Sequence, residues 1–394
     1  MARPRVEPVA ILAAGAVTPL GPDVDAFWSG LVTGADGISR IERFPVDDLR
    51  VGRGGEIKKL RAARRDAPRR GCRATQLLLA AAEDLLARVA PGVAPVRLGV
   101  VLGTALGGVE ELERALGPDG RLRHAAGGLY DAPAHALARR LDARGPVLTV
   151  STACASGATA LGVGADLLRA GAVDAVVAGG YDTLCRFVMR GFDALRSLTR
   201  DRIRPFDRRR SGLLLGEGAA LVLMTRERDA RSPRLGRLLG HASTSDGTHV
   251  AAPDPHGRGL ELALRAALAE SGVAPADVDF VSTHGTGTQL NDRVETEVLK
   301  RVLGRRAGEV PVNSIKSGLG HTMGAAAALE AIMCLLASRE GVVPATLGLE
   351  ERDPACDLDC VAGAPRPVRP GVSVSTSLGF GGCNAALVLE GVSS

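Results

Sequence analysis

Aromatic side chains are nearly missing from this chain. Seven Phe, two Tyr and one Trp make up 3% of 394 residues, against 45% hydrophobic residues overall and 50 Gly. A core of small and aliphatic side chains suits helices packed closely on strands and argues against a β-sandwich. No apolar run approaches the roughly 18–20 residues of a membrane-spanning helix, and Met1 to Pro8 is charged where a secretory leader is apolar. Lysine occurs only at positions 58, 59, 300 and 316, so arginine carries the net charge of +5. Two basic runs, Lys58 to Arg73 and Arg200 to Arg210, lack aromatic interleaving and any nucleic-acid-binding motif. An acidic protein surface therefore suits them better than nucleic acid, which is not expected as a partner. The seven cysteines (72, 154, 185, 334, 356, 360 and 383) are odd in number and without framework spacing. That excludes a disulfide scaffold and points to a reducing, cytoplasmic compartment. Cys356 and Cys360 lack a second Cys or His pair, so no metal site is expected.

What is present is an alternation of short apolar runs with helical segments. Val9 to Ala14, Leu98 to Leu102, Val147 to Val150, Ala175 to Ala178 and Ala219 to Met224 read as strands, with helices at Ala74 to Val89 and Ala132 to Leu141. After the polar stretch Thr225 to Arg234 the pattern restarts, with strands from Leu235, Phe280, Val310, Val372 and Ala385 and helices from Leu260, Arg293 and Gly324. This predicts an α/β fold in two halves, residues 1–234 and 235–394, around a mostly parallel sheet covered on both faces. Residues 33–73 and 184–215 read as surface excursions. The segment from Cys154 to Leu161 can be laid over that from His321 to Ala328, an echo that predicts duplication and two helix starts lying close together.

The stretch Val147 to Leu168 reads as strand, tight turn and helix, with Cys154 at the turn. A helix N-terminus favours thiolate over thiol, and the thiolate is the nucleophile; a buried, inert Cys is the alternative reading. Three other small-residue motifs stand at strand ends: H-G-T-G-T at 284–288, K-S-G-L-G-H at 316–321 and G-F-G-G-C-N at 379–384. Ligand sites of open α/β sheets lie beyond the carboxyl ends of strands, so all four turns are expected to share one cleft. Singly, His284 reads equally as a structural residue, the glycine runs as plain turns, and Glu295 and Glu330 as solvent-facing helix positions.

Taken together, T-A-C-A-S-G (152–157), R-P-F-D (204–207), G-E-G-A (216–219), H-G-T-G-T, N-D-x-x-E (291–295), K-S-x-x-G-H and G-F-G-G-x-N resemble the β-ketoacyl-acyl carrier protein synthases. These are the elongating Cys-His-His condensing enzymes of the thiolase superfamily, and the resemblance spans residues 6–391. It implies a duplicated five-layer αβαβα thiolase-like fold, usually dimeric. It further implies an acyltransferase that loads an acyl group onto Cys154 and condenses it with a decarboxylated malonyl unit. By the resemblance, Cys154, His284, His321 and Lys316 are catalytic, and the backbone N–H groups of Cys154 and Phe380 form the oxyanion hole. Thr286 and Thr288 bind the pantetheine arm; Glu295, Glu330 and Asn384 support the site; Leu213 and Phe380 gate the pocket. Lys316 is expected to pair with Glu330 or Glu295. No cofactor is implied, because the phosphopantetheine arm arrives on the acyl carrier protein. Arg64, Arg65, Arg69 and Arg208 are candidates for contacting that acidic partner, and a homodimer or a heterodimer with a chain-length subunit is expected.

Where many elongating synthases carry Asp-Gly-Phe, this chain has Ser211-Gly212-Leu213. That change, with the segment Tyr181 to Phe187, resembles synthases of polyene pathways, including aryl polyenes and type II polyketides, more than those of housekeeping fatty-acid synthesis. Two alternatives remain: a non-catalytic chain-length partner, which would lack the nucleophile, and a thiolase, in which Cys383 would serve as a second cysteine.

Overall fold

Among the described residues ten strands form the main sheet, and the helices named below pack on it and frame the site, because apolar runs of two kinds alternate along the chain. The computed structural model describes residues 6–60, 72–116, 121, 125–231, 234–368 and 371–392. The strands are β1 (Val9–Val17), β2 (Leu98–Gly103), β3 (Val147–Val150), β4 (Ala175–Asp182), β5 (Gly218–Arg226), β6 (Gly236–Ser245), β7 (Val278–Ser282), β8 (Val312–Asn313), β9 (Val372–Gly379) and β10 (Cys383–Gly391). The helices are α1 (Arg73–Arg88), α2 (Ala132–Leu141), α3 (Ser156–Arg169), α4 (Arg186–Ala194), α5 (Arg258–Ser271), α6 (Gln289–Leu303) and α7 (Ala326–Glu340).

The strand order is β8-β7-β9-β10-β6-β1-β5-β4-β2-β3. Its first half is the second half repeated: β1-β5-β4-β2-β3 answers β6-β10-β9-β7-β8, with two antiparallel pairs followed by two parallel pairs in each. A short antiparallel contact, Val9 with Leu238 to Ile11 with Gly236, joins the halves. The expectation of a mostly parallel sheet is corrected: the sheet is mixed. The β9–β10 turn spans only Phe380 to Gly382, and a connection so short can only reverse the chain, whereas parallel neighbours need a crossover.

Helices α3 and α7 lie between the two halves of the sheet and touch strands of both, while α1 and α2 cover the first half outside and α5 and α6 the second. The result is a five-layer αβαβα stack. Helix α7 is buried from Ala326 to Ser338 on every side, as a helix apolar all round must be. Truncating Leu329 or Leu335 to Ala there would cost about 2–5 kcal/mol. The predicted meeting of helix starts is real: a Cβ on Gly157 would lie 2.8 Å from Gly324 O and 2.9 Å from Ala328 N.

Two excursions are more structured than expected. Residues 184–215 include α4, and Ile38, Ile41, Val46 and Val51 pack with Leu184, Met189, Leu198 and Leu213 in a fourth apolar cluster. Scattered aliphatic residues at intervals of three to five gave that segment no period to read, yet they suffice to pin it down. Among the described residues no helix is long and apolar enough to cross a membrane.

Candidate active site

Four strand-end turns converge on a single cavity of about 310 Å³, lined among others by Cys154, His284, His321, Thr286, Thr288, Leu213, Phe380 and Asn384. Lys316, Glu295 and Glu330 sit behind its wall, at most 2% exposed. Neither glutamate faces solvent.

Cys154 is presented by a strained turn. Ala153 has φ +51°, a left-handed conformation that costs a residue with a Cβ about 1–2 kcal/mol. Ser156 Oγ staples the turn, accepting from Thr152 N at 2.9 Å and donating to Ala153 O at 2.6 Å. The β9–β10 turn presses against it, so that a Cβ on Gly379 would lie 2.9 Å from Thr152 O and 3.1 Å from Cys154 N. This close approach sets the Gly379–Phe380 turn against the backbone of Cys154. The Phe380 backbone N–H on that turn favours the charged form of the Cys154 sulfur.

Helix α3 begins at Ser156, two residues after Cys154, yet burial opposes the thiolate that its N-terminus would favour. Burial pushes the thiol up to about 12, against the opposing pull of the Lys316 charge and the Phe380 N–H. Loss of hydration of the anion outweighs the helix end. Burial thus favours the thiol form of Cys154.

Both imidazoles are buried and neutral. Burial, and after it the Lys316 charge, holds His284 and His321 well below the ordinary histidine range. Their rings meet edge to face with centroids 5.3 Å apart. Among the described residues, neither ring nitrogen of His321, nor Nδ1 of His284, has a hydrogen-bond partner. A buried polar atom left unpaired costs about 1–3 kcal/mol, so these nitrogens are held open for something the cavity admits.

The motif residues explain one another. Helix α6 carries Asp292 and Glu295 three positions apart, hence on one face. Glu295 accepts from His284 N at 2.7 Å, Gly285 N at 2.9 Å and Thr376 Oγ1 at 2.6 Å. Asp292 accepts from Gly287 N at 3.2 Å and Phe206 N at 2.9 Å. Buried Arg210 donates to the carbonyls of Thr288 and Gln289. The Thr286 and Thr288 hydroxyls lie 3.1 Å apart in the cavity wall. Lys316 forms its ion pair with Glu330 rather than Glu295; burial raises the Glu330 carboxyl and the ammonium opposes it. Asn384 holds the β9–β10 turn, donating to Asp246 Oδ1 at 2.8 Å and Gly382 O at 3.0 Å.

Several lining residues escaped the sequence: Phe192, Leu195, His249 and Leu290. Phe192 stacks on Phe380 with ring centroids 5.3 Å apart. The apolar spacing of α4 was the available signal, obscured by reading 184–215 as an excursion. Cys383 is not among the lining residues, which removes the basis of the thiolase reading. Of the arginines considered for partner contact, Arg208 is ion-paired with Glu351 at 2.9 Å, and Arg64, Arg65 and Arg69 lie outside the described residues. Arg204, Arg209 and Arg210 are likewise paired, with Asp201, Glu350 and Asp353, so most of that basic run is neutralised internally.

Comparison with known proteins agrees with this geometry. Residues 6–230 match the family model of the beta-ketoacyl synthase N-terminal domain, and residues 235–350 that of the C-terminal domain. The chain is 34% identical over 412 residues to 3-oxoacyl-[acyl-carrier-protein] synthase 2 of Synechocystis sp., covering 97% of each chain. It is 36% identical over 418 residues to the tetracenomycin polyketide synthase ketoacyl synthase alpha subunit of Streptomyces glaucescens, covering 99% of this chain and 98% of that one. Among solved structures, the ishigamide ketosynthase/chain length factor superposes with a TM-score of 0.93 at 30% identity, over 98% of this chain and 100% of that chain.

Proposed function

The chain belongs to the beta-ketoacyl synthase family, and from that premise we propose that Cys154, His284, His321 and Lys316 carry out a decarboxylative condensation between an acyl group and a malonyl unit, both delivered on an acyl carrier protein. The enzyme is an acyltransferase of the 3-oxoacyl-[acyl-carrier-protein] synthase type. In the first half-reaction the Cys154 sulfur attacks the acyl thioester carbonyl, a new C–S bond forms, and the carrier thiol leaves with the proton that Cys154 gave up. The Cys154 and Phe380 backbone N–H groups face the oxygen on which negative charge develops. In the second, the malonyl carboxylate leaves as carbon dioxide and its bonding electrons pass into an enolate. His284 and His321 donate hydrogen bonds to the enolate oxygen, a task for neutral imidazoles with unengaged nitrogens. The enolate carbon attacks the Cys154 thioester, the C–C bond forms and the sulfur is released.

The observation that carries this reading is the set of unpartnered nitrogens on two neutral rings in the cavity that Cys154 lines. Lys316, fixed by Glu330 behind the wall, acts through its field, lowering the thiol and keeping both rings uncharged. Thr286 and Thr288 hold the pantetheine arm, and no resident cofactor takes part. Arg196 stands between the lining residues Leu195 and Ser197, exposed and without an ion pair among the described residues, and offers the acidic carrier a contact at the mouth. Edge strand β3 has β2 as its one partner, and Leu148, Leu129 and Tyr130 are exposed. That apolar edge supports pairing with a second copy or a related chain-length subunit. Leu213 in place of a ring favours a polyene or type II polyketide pathway over housekeeping fatty-acid synthesis, and the site of action is the cytoplasm. Intact mass after mixing with an acyl carrier protein thioester tests the reading: an acyl adduct is expected on the unmodified chain and none on Cys154→Ala. An unmodified chain that takes up no acyl group would instead be a non-catalytic partner.

A further inference from the structure

Among the described residues neither ring nitrogen of His321 has a partner, so the position of this imidazole depends on its backbone. Ahead of the ring that backbone is tied to the residues after Leu213: His321 N donates to Leu214 O at 2.7 Å and Gly216 N to His321 O at 2.9 Å. Behind it, Met323 is bent into the left-handed region at φ +51°, a conformation that a residue with a Cβ keeps only when its surroundings impose it. Gly324 follows, and its N–H donates to Asp182 Oδ2 at 2.6 Å. Asp182 is the last residue of β4, in the other half of the molecule, and is fully buried. Its carboxylate also accepts from Thr104 Oγ1 at 2.8 Å, Ala105 N at 2.8 Å and Leu106 N at 3.0 Å. It has no ion pair among the described residues. Contact at this junction is tight: a Cβ on Gly324 would lie 2.6 Å from Thr104 Cα and 2.7 Å from Asp182 Oδ2.

The arrangement parallels the other imidazole. Glu295 holds the backbone N–H groups of His284 and Gly285 from α6, within the same half; Asp182 holds the turn after His321 from across the interface between halves. We propose that Asp182 is a positioning residue for the decarboxylation step, fixing His321 through Gly324, as Glu295 fixes His284. This rests on the proposed condensing activity. Burial pushes the Asp182 carboxyl up to about 6, while the Ala105 N–H, the Thr104 hydroxyl and the Gly324 N–H pull it back, so above neutral pH it is the ionised acceptor these donors require.

Asp182→Asn keeps the shape but turns an NH₂ toward donors that need an acceptor. The unmodified enzyme and this variant are compared at pH 7.5 in the two half-reactions, acylation of Cys154 by an acyl carrier thioester and carbon dioxide release from malonyl-acyl carrier protein, with thermal melting as the check on folding. The expected result is a drop of tenfold or more in kcat for carbon dioxide release, KM for the malonyl carrier within twofold, and Cys154 acylation within threefold. Gly324→Ala attacks the junction from the opposite side, leaving Asp182 in place, and is expected to give the same split; it decides the matter if Asp182→Asn does not fold. Equal losses in both half-reactions, or carbon dioxide release within twofold of the unmodified enzyme, would overturn the proposal. Failure of the unmodified enzyme to release carbon dioxide would instead overturn the condensing activity itself.

Discussion

The two halves of the molecule repeat one strand order but divide the chemistry unequally. The first half ends β3 in a strained turn that presents one sulfur; the second ends β7 and β8 in turns that present two imidazoles and an ammonium. Each half also buries a carboxylate beneath a backbone turn, yet Glu295 stays within its own half whereas Asp182 holds donors of its own half and reaches Gly324 in the other. Duplication thus supplies a frame with equivalent strand ends, and the chemistry arises from filling those ends differently. Removing a group from one half should consequently damage one half-reaction more than the other.

The largest separation is expected for His321→Ala. Carbon dioxide release should fall by roughly 10²–10⁴-fold, the usual worth of a positioned proton or hydrogen-bond donor, while acylation of Cys154 stays within several-fold, both read by single-turnover mass spectrometry. Loss of both would mean that the halves are not separable. Lys316→Ala should impair both half-reactions, because its charge reaches the sulfur and both rings. It should also destabilise the fold by about 3–5 kcal/mol, since Glu330 would be left buried and unpaired, which denaturant unfolding would measure.

Acid provides a gentler probe of the second half. His284 and His321 have folded values depressed below the unfolded one near 6.5, so unfolding takes up protons below that pH. The stability their neutral forms contribute is present above about pH 6.5 and is lost as pH falls, by up to about 1.4 kcal/mol per pH unit for each ring. Urea midpoints between pH 7.5 and 5 should show this slope, reduced in His321→Ala. The smallest effect should come from Leu213→Phe, which narrows a wall of the shared cavity. Acylation by long chains is expected to slow up to about tenfold relative to short ones, as competition between acyl carrier thioesters would show.

Much of this site was legible because the motifs are made of residues with few alternative uses. Cys154, His284 and His321 line one cavity, as convergence of the strand-end turns implied, with Lys316 buried behind its wall. The mixed sheet was not legible, since apolar runs reveal strands but not their direction; only the brevity of the Phe380 to Gly382 turn hinted at it. The helix start beside Cys154 was legible in the sequence, whereas the dehydration that opposes a thiolate there depends on packing that no local spacing reveals. Asp182 went unnoticed as a site residue because its role depends on Gly324, which lies 142 positions away along the chain. Phe192 was missed for a related reason: its stacking on Phe380 joins an excursion to a hairpin turn, and neither segment announces the other.

The condensation requires that the acyl group held by the sulfur of one half and the enolate held by the imidazoles of the other meet in the same cavity. Its most direct test is a single turnover with enzyme pre-acylated on Cys154 and mixed with malonyl-acyl carrier protein, following the adduct by intact mass together with released carbon dioxide. One carbon dioxide and one 3-oxoacyl product are expected for each acyl group that leaves Cys154. Carbon dioxide released while the adduct persists, or a 3-oxoacyl product formed by Cys154→Ala, would contradict this.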